Sequence, residues 1–370
     1  MRQAAASEHA SAFPKQAGPA PSAGGWRVGA RCALAASLLC LAACATREAP
    51  APVTPEAHTT GTVLGRNERV LIYQNRQDET LGDIAHRWLG ATDQAWQLRQ
   101  HNPGVPDKVP AGTLLAVPLQ PPNPTGISRT QVQTVPILCY HRFGSGTALR
   151  GATGKMTVSA NDFAAQLDWL ARHDWHVLRL GDLTDWLEGR RAVPPRSVVI
   201  TADDGYESFY KLAYPLLKRH GFPATLFTYT DFIGAGDAVD WAQIKEMTDS
   251  GLIDVQAHSR THRNLLDRPA GETDERYRQI IDEETRGPRE LLLRRLGTPQ
   301  RHYAYPYGDA NQQVLDALKR QGVELGMTVT PGGNPFYAHP LMLRRTMIYG
   351  DMDLDDFKAR LQASRPWGER

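Results

Sequence analysis

The chain has 370 residues, enough for two or three domains, and 41% of them are hydrophobic, an ordinary share for a globular protein. Its 42 Lys and Arg nearly balance 40 Asp and Glu, with the two signs interspersed. That pattern argues against the basic patches of a nucleic-acid binder, so no nucleic-acid partner is expected.

Arg27 and Arg31 precede an apolar run from Cys32 to Ala43 that has the length of a signal-peptide core and is too short to span a bilayer. Export is therefore expected. The end of the run, Leu41-Ala42-Ala43-Cys44, resembles the bacterial lipobox. That resemblance implies acylation of Cys44, a membrane anchor through the lipid and a place in the cell envelope. Of the four cysteines, Cys32 and Cys40 leave with a signal peptide at 1–43, and Cys139 has no disulfide partner. Residues 44–67, with Pro50, Pro52 and Pro55, read as a flexible tether.

A patterned unit follows at 68–119. Val70-Leu71-Ile72-Tyr73 predicts a strand, Asp78-Glu79-Thr80-Leu81 opens a helix to Gly90, Gln94–Gln100 a second helix, and Leu114–Pro118 a closing strand. This βααβ order, with Thr80-Leu81, Ile84-Ala85, Trp96, Asn102-Pro103, Gly112 and Val117-Pro118, resembles the LysM module. The resemblance implies binding of N-acetylglucosamine polymers in a groove near Asp78, Thr80, Leu81 and Asn102. The Pro-rich stretch 120–133 reads as a linker.

From 134 to 370, strand-like and helix-like segments alternate, which predicts an α/β fold with a parallel, barrel-like sheet. His141, Asp203-Asp204, His258 and Pro306-Tyr307-Gly308 each follow the apolar end of a predicted strand, the end where such sheets gather catalytic groups. Adjacent carboxylates repel unless a cation neutralises one, so Asp203-Asp204 suggests one metal ligand and one free base; an Asp-Asp-Gly turn is the plain alternative. His258 and His262 are four residues apart, a spacing that on a helical turn brings both rings to one side. Two imidazoles and a carboxylate suit a divalent metal with open positions.

Together, Thr201-Ala202-Asp203-Asp204-Gly205, His258-Ser259-x-x-His262 and Tyr305-Pro306-Tyr307-Gly308 resemble the first three motifs of the NodB-type polysaccharide deacetylases, carbohydrate esterase family four. Asp240-Trp241 resembles the fourth. The resemblance implies a distorted (β/α) barrel that removes acetyl groups from N-acetylglucosamine polysaccharides such as peptidoglycan or poly-N-acetylglucosamine. It implies Asp204, His258 and His262 as ligands of a metal, zinc foremost, and Asp203 as general base. It further implies the Tyr307 N–H as oxyanion donor, and Trp241, Tyr305 and Pro306 around the substrate pocket. Two departures stand out. Ala304 occupies the place of an Arg that orients the base, and Arg301, Arg344 and Arg345 are the candidate substitutes. No His appears around Leu343–Ile348 to act as acid, so His141 is expected as general acid or substrate contact. These departures keep open a catalytically silent carbohydrate binder.

Overall fold

The computed structural model describes residues 60–121, 123–145 and 152–366. The expected export signal, Cys44 and most of the stretch read as a tether lie outside the described residues. Among the described residues no helix is long and apolar enough to cross a membrane.

Strand β1 (Gly61–Arg66) pairs antiparallel with β2 (Val70–Asn75), and β2 pairs antiparallel with β3 (Leu114–Pro118). Helices α1 (Leu81–Leu89) and α2 (Ala95–His101) connect β2 to β3. Thr80 caps α1 by accepting from the Asp83 N–H, and Gly90 ends it in the left-handed conformation that a residue without Cβ adopts freely. Leu71, Tyr73, Leu81, Ile84, Leu98, Leu115 and Val117 form the core of this unit.

The expected βααβ order is present, with one correction. The end of the stretch read as tether is strand β1, because Thr62 and Val63 find partners in Gln74 and Tyr73. A short Thr-Val-Leu run between glycines carries too little alternation to announce a strand. The linker is also shorter than expected. Its last residues belong to the next strand, and Pro124 O accepts a hydrogen bond from Trp186 Nε1.

The larger part begins with β4 (Gln131–Tyr140) and α3 (Ala160–Arg172), followed by β5 (His176–Leu178), α4 (Leu180–Leu187) and β6 (Ser197–Ala202). Next come α5 (Tyr214–His220), β7 (Ala224–Thr228), α6 (Trp241–Asp249), β8 (Ile253–Ala257) and the long α7 (Asp274–Leu296). Strand β9 (His302–Ala304), α8 (Gln312–Arg320), β10 (Leu325–Met327), β11 (Gly333–Pro335) and β12 (Thr346–Met347) complete the site-bearing framework.

The sheet runs β10-β9-β8-β7-β6-β4-β11, parallel except for β11, with β12 parallel to the end of β4. It is a curled half-barrel, since β10 and β11 end the run without pairing to each other. Both faces of β6 are buried. Val198, Ile200 and Ala202 join the cluster against the helices, while Val199 joins the cluster on the inner face with Trp186, Phe227 and Met327.

Candidate metal centre and active-site cleft

The parallel strands end side by side, and the turns that follow them carry the chemistry. The Asp203 N–H donates to Tyr140 O at 2.9 Å, fixing the end of β6 against β4. Asp204 follows at φ 72° and Gly205 at φ 82°. A Cβ at Gly205 would sit 2.5 Å from Thr228 Oγ1, so this turn needs glycine for space and conformation alike.

His258 follows β8, and its N–H donates to Thr228 O. The loop from His258 to His262 is not helical, contrary to expectation. Ser259 (φ 82°) and His262 (φ 63°) are both left-handed and bend the chain so that the two imidazoles meet, with ring centroids 5.0 Å apart. Glu284, reaching from α7, holds this loop. Its buried carboxylate accepts from the Arg260 N–H (3.0 Å), the Thr261 N–H (2.9 Å) and the Thr261 hydroxyl (2.7 Å). Of the left-handed non-glycine residues among those described, Asp204, Ser259, His262 and Tyr307 belong to this region and only Asp174 lies elsewhere. Backbone strain is concentrated where the side chains must converge.

Asp204, His258 and His262 present ligand atoms within 4.8 Å of one another. Asp204 Oδ1 lies 3.2 Å from His262 Nε2 and 3.6 Å from His258 Nε2, close to the spacing of roughly 3.4 Å that bonds of about 2.1 Å give in tetrahedral geometry. His258 Nδ1 donates to Ala304 O at 2.9 Å; a carbonyl only accepts, so the proton is on Nδ1 and Nε2 keeps its lone pair. Asp204 Oδ1 is buried with no hydrogen-bond partner among the described residues. An uncompensated buried carboxylate oxygen facing two imidazole nitrogens is the donor set of a divalent cation, and the residues fit one.

The electrostatics agree. Burial pushes the Asp204 carboxyl up, but His262 and His258 hold it below its ordinary value. Burial keeps His258 below the usual imidazole range despite two nearby carboxylates. At His262 the burial penalty is outweighed by the Asp204 carboxylate, which raises it.

Asp203 is bound differently. Arg345, fully buried immediately before β12, donates from Nη1 to Oδ1 and from Nη2 to Oδ2, each at 2.6 Å, while its Nε donates to Thr328 O. Burial alone would raise the Asp203 carboxyl; the guanidinium more than offsets it and holds the group well below the usual carboxylate range. Of the three arginines that spacing left open, Arg301 pairs with Glu324 at the surface and Arg344 reaches Pro331 O. Cys139 Sγ, 3.4 Å from Asp203 Oδ2, donates a weak hydrogen bond, and burial keeps it a thiol. Cys139, His141 and Asp203 also cluster closely enough for a metal, but Arg345 already engages both Asp203 oxygens.

A cleft of about 630 Å³ opens over these groups, lined by His141, Arg142, Met156, Tyr206, Tyr305, Tyr307, Val329, Met347 and Tyr349 besides the carboxylates and imidazoles. His141 lines it with Nδ1 buried and without a hydrogen-bond partner among the described residues. Tyr307 stands at φ 61°, and its N–H donates to no carbonyl among the described residues. Two expected pocket residues lie elsewhere. Trp241 begins α6, packs on the helix-side core and carries the Arg295 guanidinium 5.0 Å above its ring, because the Asp240 cap turns it into the helix layer. Pro306 is buried within the turn and does not line the cleft.

In the small unit, the Leu81 N–H donates to Asp107 O, beyond the 102–105 stretch expected to line a groove with 78–81. Side chains of both stretches have internal duties, however. Leu81 is 1% exposed, Asn102 bonds Leu98 O, Ala116 O and the Ala116 N–H, Asp78 accepts from the Ala111 N–H, and Thr80 caps α1. Sequence reasoning missed Glu284, Arg142 and Tyr349. Glu284 left no local signal, as it acts from mid-helix on a loop 23 residues away.

A family model described as polysaccharide deacetylase matches residues 190–326. Poly-beta-1,6-N-acetyl-D-glucosamine N-deacetylase of Staphylococcus aureus (strain MRSA252) is 29% identical over 197 residues, covering 50% of this chain and 68% of that protein. Among solved structures, IcaB from Ammonifex degensii is 29% identical with a TM-score of 0.54, covering 62% of this chain and 98% of its own. The Streptococcus pyogenes deacetylase PplD shares the fold at 23% identity and a TM-score of 0.56, covering 62% of this chain and 99% of its own. The motifs and the half-barrel agree with the family match: residues 190–326 of this chain are similar to the polysaccharide deacetylases.

Proposed function

We propose that this protein hydrolyses the N-acetyl amide of N-acetylglucosamine units in a polysaccharide, releasing acetate, with poly-β-1,6-N-acetylglucosamine ahead of peptidoglycan as substrate. The carrying observation is the buried Arg345–Asp203 fork beside the Asp204–His258–His262 set. An oriented base beside a cation site is what amide hydrolysis requires. The relatedness to a poly-beta-1,6-N-acetyl-D-glucosamine N-deacetylase supports the choice of polymer.

In this reading Asp204, His258 and His262 hold the ion, zinc foremost, given two imidazoles and one carboxylate. When bound, the ion supplies polarisation of the acetyl carbonyl and an acidified water. The Asp203 carboxylate, held in plane by Arg345, accepts the proton of the attacking water. The Tyr307 N–H donates to the acetyl oxygen as it gains negative charge. His141 delivers a proton to the leaving amine nitrogen. Arg345 beside Asp203 supports an active enzyme against one of the two arguments for a silent binder, the absent arginine of the third motif; the other, the absent histidine of the fifth, is met in this reading by His141.

The small unit is read as a LysM-like holder of the same polymer, with contacts from backbone and rim groups of its loops rather than from Leu81 or Asn102. Acylation at Cys44 ties the protein to the envelope; Cys44→Ser then releases it from membranes, and continued attachment would refute the anchor. The catalytic assignment is tested by a pair of variants. Asp204→Ala should lose both bound metal and acetate release, whereas Asp203→Asn should retain metal and lose turnover. Substantial turnover by Asp203→Asn would refute the base.

A further inference from the structure

Cys139, fully buried on β4, has no part in the chemistry so far beyond a weak hydrogen bond to Asp203. Its Sγ belongs to a second group of ligand atoms, in which Cys139, His141 and Asp203 each present one atom within 4.8 Å of the others. Arg345 engages both oxygens of Asp203 and so takes the carboxylate out of this group. A thiol beside an imidazole remains. The imidazole is uncommitted, since His141 Nδ1 is buried without a hydrogen-bond partner among the described residues.

The surroundings are soft as well. Met347 pairs with Cys139 in the parallel register of β12 and β4, and Met347 and Met156 line the same cleft as His141. Sulfur donors with an imidazole select a closed-shell monovalent ion such as cuprous copper or silver, whereas Asp204, His258 and His262 offer the harder set that suits zinc. Such a monovalent ion accepts a thiolate and an imidazole on a straight line. Bonds of about 2.3 Å to sulfur and about 2.1 Å to nitrogen then separate the donors by roughly 4.4 Å, inside the spacing of this group.

We propose that Cys139 and His141 form a binding site for a soft monovalent cation, distinct from the candidate zinc centre, and that filling it shuts off turnover. Binding exchanges the thiol proton for the ion. The S–H bond breaks, a sulfur–metal bond forms, and the proton leaves through the cleft to solvent. Thiolate and monovalent ion together carry no net charge, which suits a buried strand. His141, its lone pair on the ion, no longer delivers a proton to the leaving amine. Only this inhibition rests on the deacetylase reading; the binding stands on the ligand atoms.

The test is titration of the zinc-loaded full chain with silver nitrate in chloride-free buffer, read by native mass spectrometry and by acetate release. Cys32→Ser, Cys40→Ser and Cys44→Ser in the background make Cys139 the remaining thiol. This protein should take up one silver ion, keep its zinc and lose acetate release in step with silver uptake. Adding Cys139→Ser should weaken silver binding roughly a hundredfold or more and leave that variant's own turnover, whatever its rate, insensitive to one equivalent. His141→Gln should weaken silver binding by a smaller factor, because the thiolate stays. Equal silver affinity with and without Cys139→Ser would overturn the site, and so would silver uptake that expels zinc in equal amount. Undiminished acetate release at full silver occupancy would overturn the inhibition. A protein that binds silver through Cys139 but releases no acetate before silver is added refutes the deacetylase reading and leaves the cation site standing.

Discussion

Arg345 and Asp203 are 142 residues apart in the chain yet meet through two hydrogen bonds of 2.6 Å with almost no solvent contact. Parallel pairing of Thr346 with Leu138 and of Thr201 with Cys139 sets β12 and β6 on opposite sides of β4, which carries Arg345 to the end of the strand bearing Asp203. The planar fork fixes the carboxylate plane and leaves its remaining lone pairs for a substrate water.

A lysine cannot reproduce that fork. Arg345→Lys should keep bound metal while lowering kcat by about two orders of magnitude, because a point charge does not orient the carboxylate. Arg345→Met leaves a buried charge unpaired and should destabilise the fold by about 3–5 kcal/mol. Thermal unfolding and single-turnover acetate release distinguish the two effects. Wild-type kcat in Arg345→Lys would show that orientation of Asp203 is not limiting.

Glu284 supports the candidate cation site from behind. Its three accepted hydrogen bonds fix the loop between His258 and His262, so Glu284→Gln should weaken metal binding about 10- to 100-fold. Competition with a chromogenic chelator measures this directly. Unchanged affinity would mean that the left-handed residues alone hold the loop.

His141 offers a separable test of acid catalysis. His141→Ala should retain metal and lose about 10²- to 10⁴-fold in amide hydrolysis, whose amine must be protonated to leave. Its rate on 4-nitrophenyl acetate, whose leaving group needs no proton, should fall much less. Equal losses on both substrates would make His141 a binding contact instead.

His302 on β9 governs acid stability. Burial, with help from the Arg301 charge, pushes its imidazole down to about 3, against an ordinary value of 6.5. The unfolded chain therefore takes up a proton that the folded chain refuses. The stability held by the neutral ring is complete above about pH 6.5 and is lost as pH falls from there toward 3, by about tenfold in the unfolding equilibrium per pH unit. Urea denaturation between pH 7 and 5 should show this slope in wild type and a shallower one in His302→Gln. Identical slopes would place the titration elsewhere.

What was legible in the sequence was whatever is local in the chain. Strands such as Ile253–Ala257 and the helix Asp274–Leu296 follow from apolar runs and caps, and the site groups stand at strand ends because the parallel sheet puts them there. What was not legible was long-range pairing. Spacing left three arginines open as partners of Asp203, and only the neighbourhood of β12 and β4 selects Arg345. The His258–His262 spacing was sound while its helical rationale was not, since two left-handed residues do the same work. Trp241 was misplaced because an N-terminal helix position says nothing of the direction the ring takes in the layer above the sheet.

Hydrolysis of an N-acetyl amide at the candidate Asp204–His258–His262 centre is the reaction on which the proposed function stands or falls. The most direct measurement is acetate release by the purified protein from β-1,6-linked N-acetylglucosamine oligomers and from peptidoglycan, with chelator and with zinc restored. Chelator should abolish release and zinc should restore it, with more acetate from the β-1,6-linked oligomers. Absence of release from both substrates by protein that holds metal and binds the oligomer would contradict the proposed function.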